Sequence, residues 1–230
     1  IRMEDLSDGA VASEIDVLVV VAPENFDARK VFAIDQFLMR GGTVLLATSP
    51  FISQTMRGNM SMLPRNSGLQ EWLQSHGITI EESLVLDPQN SAFPVPVTRQ
   101  VGDYSFQEVA MVDYPYFVDA RGDGLNSTHP VTSNLPQITL SWASPITIDP
   151  PLNSARTVAH LIRSSEQSWT SDSTDVLPRP SADGVSNWQP EGDTGAVDLG
   201  VIVSGRFDSY FAGKTSPLLE EQAPSNNEQQ

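Results

Sequence analysis

Thr48, Ser49, Ser53, Gln54 and Arg57 have the side-chain types to hold a small polar ligand, and Gly41-Gly42 just upstream has the composition of a phosphate loop. A phosphate loop needs a strand, then a glycine-rich turn, then a helix, because backbone N–H groups at the helix N-terminus hold the anion. In FLMRGGTVLLATSP, Phe37 to Pro50, the order is reversed: a helical ending precedes the glycines and an apolar run follows them. A helix end offers carbonyl oxygens with negative dipole character and repels an anion. The pair therefore reads as a helix stop.

Other chemistries find no constellation. His76, His129 and His160 are far apart and form no H-x-x-x-H pattern, and the chain has no cysteine, so zinc ligation and thiol chemistry have no signal. No G-x-S-x-G elbow singles out a serine nucleophile. DARGDGLNSTHP, Asp119 to Pro130, fails as a calcium loop, with Arg121 where an oxygen ligand belongs and Pro130 in place of the closing glutamate. The triplet Arg121 to Asp123 is too short to carry an adhesion reading. No catalytic, cofactor-binding or metal residue is assigned, and no cofactor is expected.

Ligands of open α/β sheets sit beyond the carboxyl ends of the strands. Here those positions are APENFD after the first apolar run, which has Glu24 and Asp27 but no glycine, and ATSPFISQTMRGNMS after the second. The second carries Thr48, Ser49, Ser53, Gln54 and Arg57, the candidate contacts for a ligand or partner.

The elements that must position them begin with IDVLVVVAP, Ile15 to Pro23, a near-continuous apolar run that predicts a strand buried on both faces. Asn25 or Asp27 caps a following helix whose Val31, Ile34, Phe37 and Leu38 recur at helical spacing, with Arg40 in its last turn and Gly41 past its end. TVLLATSP, Thr43 to Pro50, is the second buried strand. Strand, helix, strand predicts a right-handed βαβ unit. FISQTMRGNMSMLPRNS reads as a long polar loop, GLQEWLQSHG as a short helix ended by Gly77, and ITIEESLVLDPQ as two short extended pieces. Residues 90–136, rich in Pro, Gly, Asn and Asp, read as irregular with edge strands. Strands are expected in QITLSWASPITID, ARTVAHLIRSS and GAVDLGVIVSGRFDSYF, and SADGVSNWQPEGDTG as loop. The fold class is α/β: a Rossmann-like three-layer domain with a mostly parallel central sheet and an irregular, strand-containing C-terminal half. It occupies residues 1–214 as one domain, and residues 215–230 are a disordered tail.

Charge limits the partners. With 29 acidic and 13 basic residues the formal net charge is −16, a field that repels nucleic-acid phosphates and anionic headgroups. No run reaches the 18 or so apolar residues of a membrane span. At 230 residues, 39% hydrophobic, the chain buries a proper core without staples.

Taken in order, DVLVVVAPENFDARKVFAIDQFLMRGGTVLLATSP, GLQEWLQSHGITIEESLVLDPQ, HPVTSNLPQITLSWASPI, SSEQSWTS and GAVDLGVIVSGRFDSYF resemble the GldG-type auxiliary component of ABC-type transport systems, named for a bacterial gliding-motility protein. The D-x-F/Y-L-x-x-G-G helix ending falls on Asp35, Phe37, Leu38, Gly41 and Gly42. The L-x-x-x-G-I piece falls on Leu73, Gly77 and Ile78, and L-V-L-D-P on Leu84 to Pro88. The resemblance implies an extracytoplasmic (periplasmic) domain of an inner-membrane protein, excised from flanking membrane helices and from a further strand and helix before Ile1. It implies ABC permease and ATPase subunits as partners, the ATPase work belonging to another chain. It transfers no catalytic residue. The expected function is non-enzymatic, by protein or ligand binding; the alternative is a carbohydrate- or peptide-directed enzyme or binding protein with its site at the strand C-terminal ends.

Overall fold

A computed structural model describes residues 1–56, 58–178 and 188–219. In chain order its elements are β1 (Val17–Val21), α1 (Ala28–Met39), β2 (Thr43–Ala47), β3 (Phe51–Met56), β4 (Asn59–Pro64), α2 (Gln70–Ser75), β5 (Ile78–Ile80), β6 (Leu84–Leu86), β7 (Phe93–Val101), β8 (Tyr104–Val112), β9 (Phe117–Arg121), β10 (Gln137–Ser141), β11 (Ile146–Ile148), α3 (Pro150–Asn153), β12 (Thr157–Arg163), β13 (Trp169–Ser171) and β14 (Asp198–Ser204).

The N-terminal unit forms as its residues dictate. Asp27 caps α1, its Oδ1 accepting from the N–H groups of Arg29 at 3.1 Å and Lys30 at 3.0 Å. Gly41 closes the helix with φ +92°, and a Cβ on Gly42 would lie 2.4 Å from the Phe37 ring, so the pair both turns the chain and admits the aromatic side chain beside it. β1 and β2 then pair in parallel, Val19 opposite Leu45.

Beyond that unit the expected Rossmann-like three-layer domain with a mostly parallel central sheet is not what forms. β1–β2 is the one parallel pair among the described residues, and every other ladder is antiparallel. The largest sheet has four strands in the order β12-β14-β11-β5, and the rest are two-stranded. The reason lies in the connections. A parallel crossover takes a dozen or more residues and a helix to cover the sheet, and after α1 the helices have only 6 and 4 residues. FISQTMRGNMSMLPRNS, expected as loop, instead holds the ladder β3–β4, and residues 90–136, expected as irregular chain with edge strands, hold the nine-residue ladder β7–β8.

β1 also departs from the strand buried on both faces. Leu18 and Val20 are buried, while Val17, Val19 and Val21 are 53%, 55% and 67% exposed. With α1 on one side and nothing among the described residues on the other, an unbroken apolar run still alternates in burial. The tail expected over residues 215–230 lies mostly outside the described residues, as does much of the expected loop over 181–195.

Two cores result. The first joins β1, α1 and α2 through Leu18, Val20, Ile34, Phe37, Leu69 and Trp72. The second gathers Met62, Leu84, Leu86, Tyr114, Tyr116 and Trp169. In the first, Asp35 is fully buried. Its Oδ1 accepts from Trp72 Nε1 at 3.1 Å and the Tyr210 N–H at 3.0 Å, and its Oδ2 from Ser209 Oγ at 2.5 Å and Gln36 Nε2 at 3.1 Å. In the second, fully buried Asp87 accepts from the Gln89 N–H at 2.8 Å and from Ser165 through both its N–H at 2.6 Å and its Oγ at 2.7 Å.

Asp35→Ala leaves the buried Trp72 N–H and the half-buried Ser209 and Tyr210 donors unpaired, and an orphaned buried donor costs on the order of 1–3 kcal/mol. The urea midpoint should fall by an amount equivalent to about 3 kcal/mol or more, and a loss below about 1 kcal/mol would show that water reaches those donors. Gly42→Ala drives a methyl into the Phe37 ring and should cost about 1–3 kcal/mol in the same assay.

Candidate functional site: a cleft beside the first helix

The carboxyl end of β1 opens into a loop held in a costly conformation. Ala22 and Asn25 have φ +50° and +49°, the left-handed region that residues with a Cβ enter only when their surroundings impose it. The surroundings here are the segment before α2. The Arg65 guanidinium donates to the Ala22 carbonyl, the Asn25 N–H to the Asn66 carbonyl at 2.8 Å, and the Phe26 N–H to the Ser67 carbonyl at 3.1 Å.

Against this clamped loop lies the chain after β14. The Asp35 bonds hold Ser209 and Tyr210 against α1, Tyr210 Oη donates to Glu71 Oε2 at 2.6 Å, and Phe211 meets Phe32 edge-on at 5.1 Å. The Lys214 ammonium lies 3.2 Å from the centre of the Tyr210 ring. Between the two sides runs an open cleft of about 620 Å³ whose lining includes Phe26, Val31, Trp72, Tyr210, Phe211 and Lys214. Its volume falls in the range of ligand pockets, and its lining mixes aromatic and apolar side chains with polar ones, Asn66, Gln70 and Thr215 among them. One carboxylate, Glu71, and one ammonium, Lys214, sit on its walls, and both are engaged by Tyr210. Because Asp27 already occupies the first free N–H groups of α1, the helix end beside the cleft presents a carboxylate and disfavours an anion. The arrangement suits a group that offers both an aromatic face and several polar atoms.

The residues read from sequence separate. Thr48 and Ser49 line a different, smaller pocket of about 40 Å³, together with Ser67, Gln70, Gln74 and Glu82. That volume holds a few water molecules, not a sugar ring. Thr48 Oγ1 is buried there with no partner among the described residues, and Ser49 Oγ accepts from the Phe51 N–H at 3.1 Å. Ser53 and Gln54 are exposed on β3, and Arg57 lies outside the described residues. Tyr210, Phe211 and Lys214 escaped sequence reading because they lie some 140 residues from α2; the Tyr210–Glu71 bond spans 139. Half-exposed His160 and mostly covered Asp198 approach to 2.7 Å across β12 and β14, with Arg163 3.4 Å from the same carboxylate, an ion-pair cluster on the sheet surface. Among the described residues no group of three His, Asp or Glu converges on one point, and no helix is long and apolar enough to cross a membrane.

A family model described as an ABC-type uncharacterized transport system matches residues 1–230. A protein of Borreliella burgdorferi, described as an uncharacterized protein, is 22% identical over 169 residues, which are 74% of this chain and 31% of that one. The chain thus spans about a third of that relative's length. No solved structure matches.

Behind the cleft's Trp72 lies His76, 2% exposed, its ring edge-on to Trp72 at 4.9 Å and to Phe207 at 5.3 Å. Neither ring nitrogen has a hydrogen-bond partner among the described residues. Burial holds the imidazole below its ordinary pKa; Arg156 adds to this, and Asp35 and Asp208 oppose it. The unfolded imidazole takes a proton below about pH 6.5, whereas the folded one resists until lower pH. His76 therefore contributes full stability above about pH 6.5 and progressively less as pH falls towards the folded pKa. Urea midpoints measured from pH 7.5 to 5 should fall more steeply in the wild type than in His76→Phe, and equal slopes would show that the imidazole is solvated.

Proposed function

We propose, for a chain that belongs to the family of ABC-type uncharacterized transport systems, a GldG-like, non-enzymatic role as an extracytoplasmic domain that binds a partner subunit. Membership makes the chain an auxiliary component of an ABC-type transport system; the location, the mode of action and the partners are this reading's own. The domain is tethered by membrane helices outside this chain and contacts an ABC permease or its ATPase complex through the cleft beside α1.

The observation that carries the reading is the character of that cleft. Four aromatic side chains stand in a partly polar lining, Phe26 and Trp72 on one side and Tyr210 and Phe211 on the other, the residue types that dominate contact surfaces, and its charged groups are tied to Tyr210 and not aimed at a reacting centre. The strained Ala22 to Asn25 loop supplies a fixed rim. The pocket at Thr48 and Ser49 carries one carboxylate, Glu82, where hydrolysis of a glycosidic bond uses two.

Affinity purification of the full-length protein from native membranes should recover an ABC permease and ATPase. Lys214→Glu, an exposed change in the cleft wall, should reduce that recovery about tenfold, as a misplaced charge at an interface does, while the lost contact with the Tyr210 ring costs only about 1 kcal/mol of stability. Recovery unaffected by Lys214→Glu would remove the cleft from the contact. Failure to recover either subunit with the wild type would overturn the transport-complex reading itself.

A further inference from the structure

The β7–β8 hairpin is held by the body only at its root, where Phe93 meets Tyr114 at 4.9 Å and Phe117 at 5.4 Å and Val112 is buried. From Thr98 around the turn to Val109 every residue is exposed, and no third strand joins the pair among the described residues. Nine-residue strands reaching into solvent as a lone hairpin are marginal, and each open edge is a template for further pairing.

The two edges differ. β7 carries Pro94 and Pro96, and a ladder keeps proline only where the missing N–H faces outward. The outer edge of β7 therefore lacks two donors and is blocked. The register sets Pro94 opposite Met111 and Pro96 opposite Val109. In an antiparallel pair, residues opposed in that way both turn their N–H and C=O groups away from each other. Met111 and Val109, and by the two-residue repeat Gln107 and Ser105, thus direct theirs along the free side of β8. No proline interrupts that strand. Each face carries exposed apolar side chains, Tyr104 and Phe106 beside Glu108 on one, Val109 and Met111, 66% and 63% exposed, beside Ser105 and Gln107 on the other.

From this we infer that the free edge of β8 accepts an extended strand of another protein, making a three-stranded sheet by main-chain addition. The incoming strand sets apolar residues on one face, over Val109 and Met111, and lysine or arginine on the other, beside Glu108 and the Phe106 ring. Charge selects this occupant. The chain carries −16, and the hairpin itself carries Arg99 against Asp103 and Glu108. A second copy brings the same −16, and antiparallel pairing about the middle of β8 sets Glu108 against its counterpart, a destabilising arrangement. A bilayer fits less well, because hydrocarbon leaves the free N–H and C=O groups of the edge unsatisfied. The inference does not depend on the cleft beside α1, since the hairpin is rooted on the second core.

The test uses the full chain and two fluorescent peptides, Lys-Val-Thr-Val-Lys-Val-Thr-Val-Lys and its glutamate counterpart, with binding read by anisotropy. Val109→Pro gives β8 the same block that β7 has, at a position whose N–H the hairpin does not use, and Gln107→Pro repeats the block nearer the turn. The lysine peptide should bind the wild type and Val109→Thr alike. It should bind at least one proline variant of unchanged circular dichroism roughly tenfold more weakly, the effect of one or two lost backbone hydrogen bonds. The glutamate peptide should bind weakly throughout. Equal binding of the lysine peptide to folded proline variants, or of the two peptides to the wild type, overturns the inference. So does absence of peptide binding combined with either proline-sensitive self-association in sedimentation or proline-sensitive binding to phosphatidylcholine vesicles, which would assign the edge to a second copy or to a membrane.

Discussion

A carboxylate out of contact with water persists in a protein interior when donors replace its hydration, and Asp35 has four of them. Those donors come from α1 itself, from α2 and from the chain after β14, so the carboxylate fixes three segments that share no sheet. The consequences spread outward. Trp72 is held so that its ring floors the cleft and backs onto His76, and Tyr210 is held so that its hydroxyl reaches Glu71 and its ring lies under Lys214. The cleft is therefore a product of one buried charge, and its shape is set from behind, not by the groups that line it.

The strand, helix, strand order of residues 15–47 was legible because each signal there is local, whereas full burial of both strands was not met, Val19 and Leu45 being more than half exposed. The Asp27 cap, the helical spacing of Val31, Ile34 and Phe37, and the Gly41-Gly42 stop all act within a few residues of where they are written. Extending that pattern to the whole chain failed for two physical reasons. The edge strands expected in residues 90–136 do form, but their nine-residue length was hidden by Pro94 and Pro96, which an edge accommodates because their side of β7 faces water. The β3–β4 segment carries polar residues on a ladder exposed along most of β3, so the alternation that marks a half-buried strand is absent. The site was less legible than the fold. Thr48 and Ser49 do lie at a strand end beside a pocket, but the larger cleft needs Tyr210, Phe211 and Lys214, whose place depends on tertiary contacts that no spacing records.

The motifs that carried the family resemblance turn out to be joints. L-V-L-D-P and S-S-E-Q-S-W, some 78 residues apart, meet where Ser165 donates twice to Asp87. Ser164 and Ser168 continue that joint, their hydroxyls 2.7 Å apart and bonded on to the backbone of Val197 and Gly195. Asp35, in the helix-ending motif, plays the same part in the other core. Residues of this kind preserve a shape.

Asp35 and its partners Ser209 and Tyr210 are separated by 174 and 175 residues. A ribosome adding roughly 5–20 residues per second takes about 9–35 s to cover that distance. During that interval the βαβ unit and α2 exist without half of the donors their buried acid needs, and the cleft has only one wall. The domain therefore completes its first core last, when its C-terminal segment arrives, and the start of the chain waits on its end.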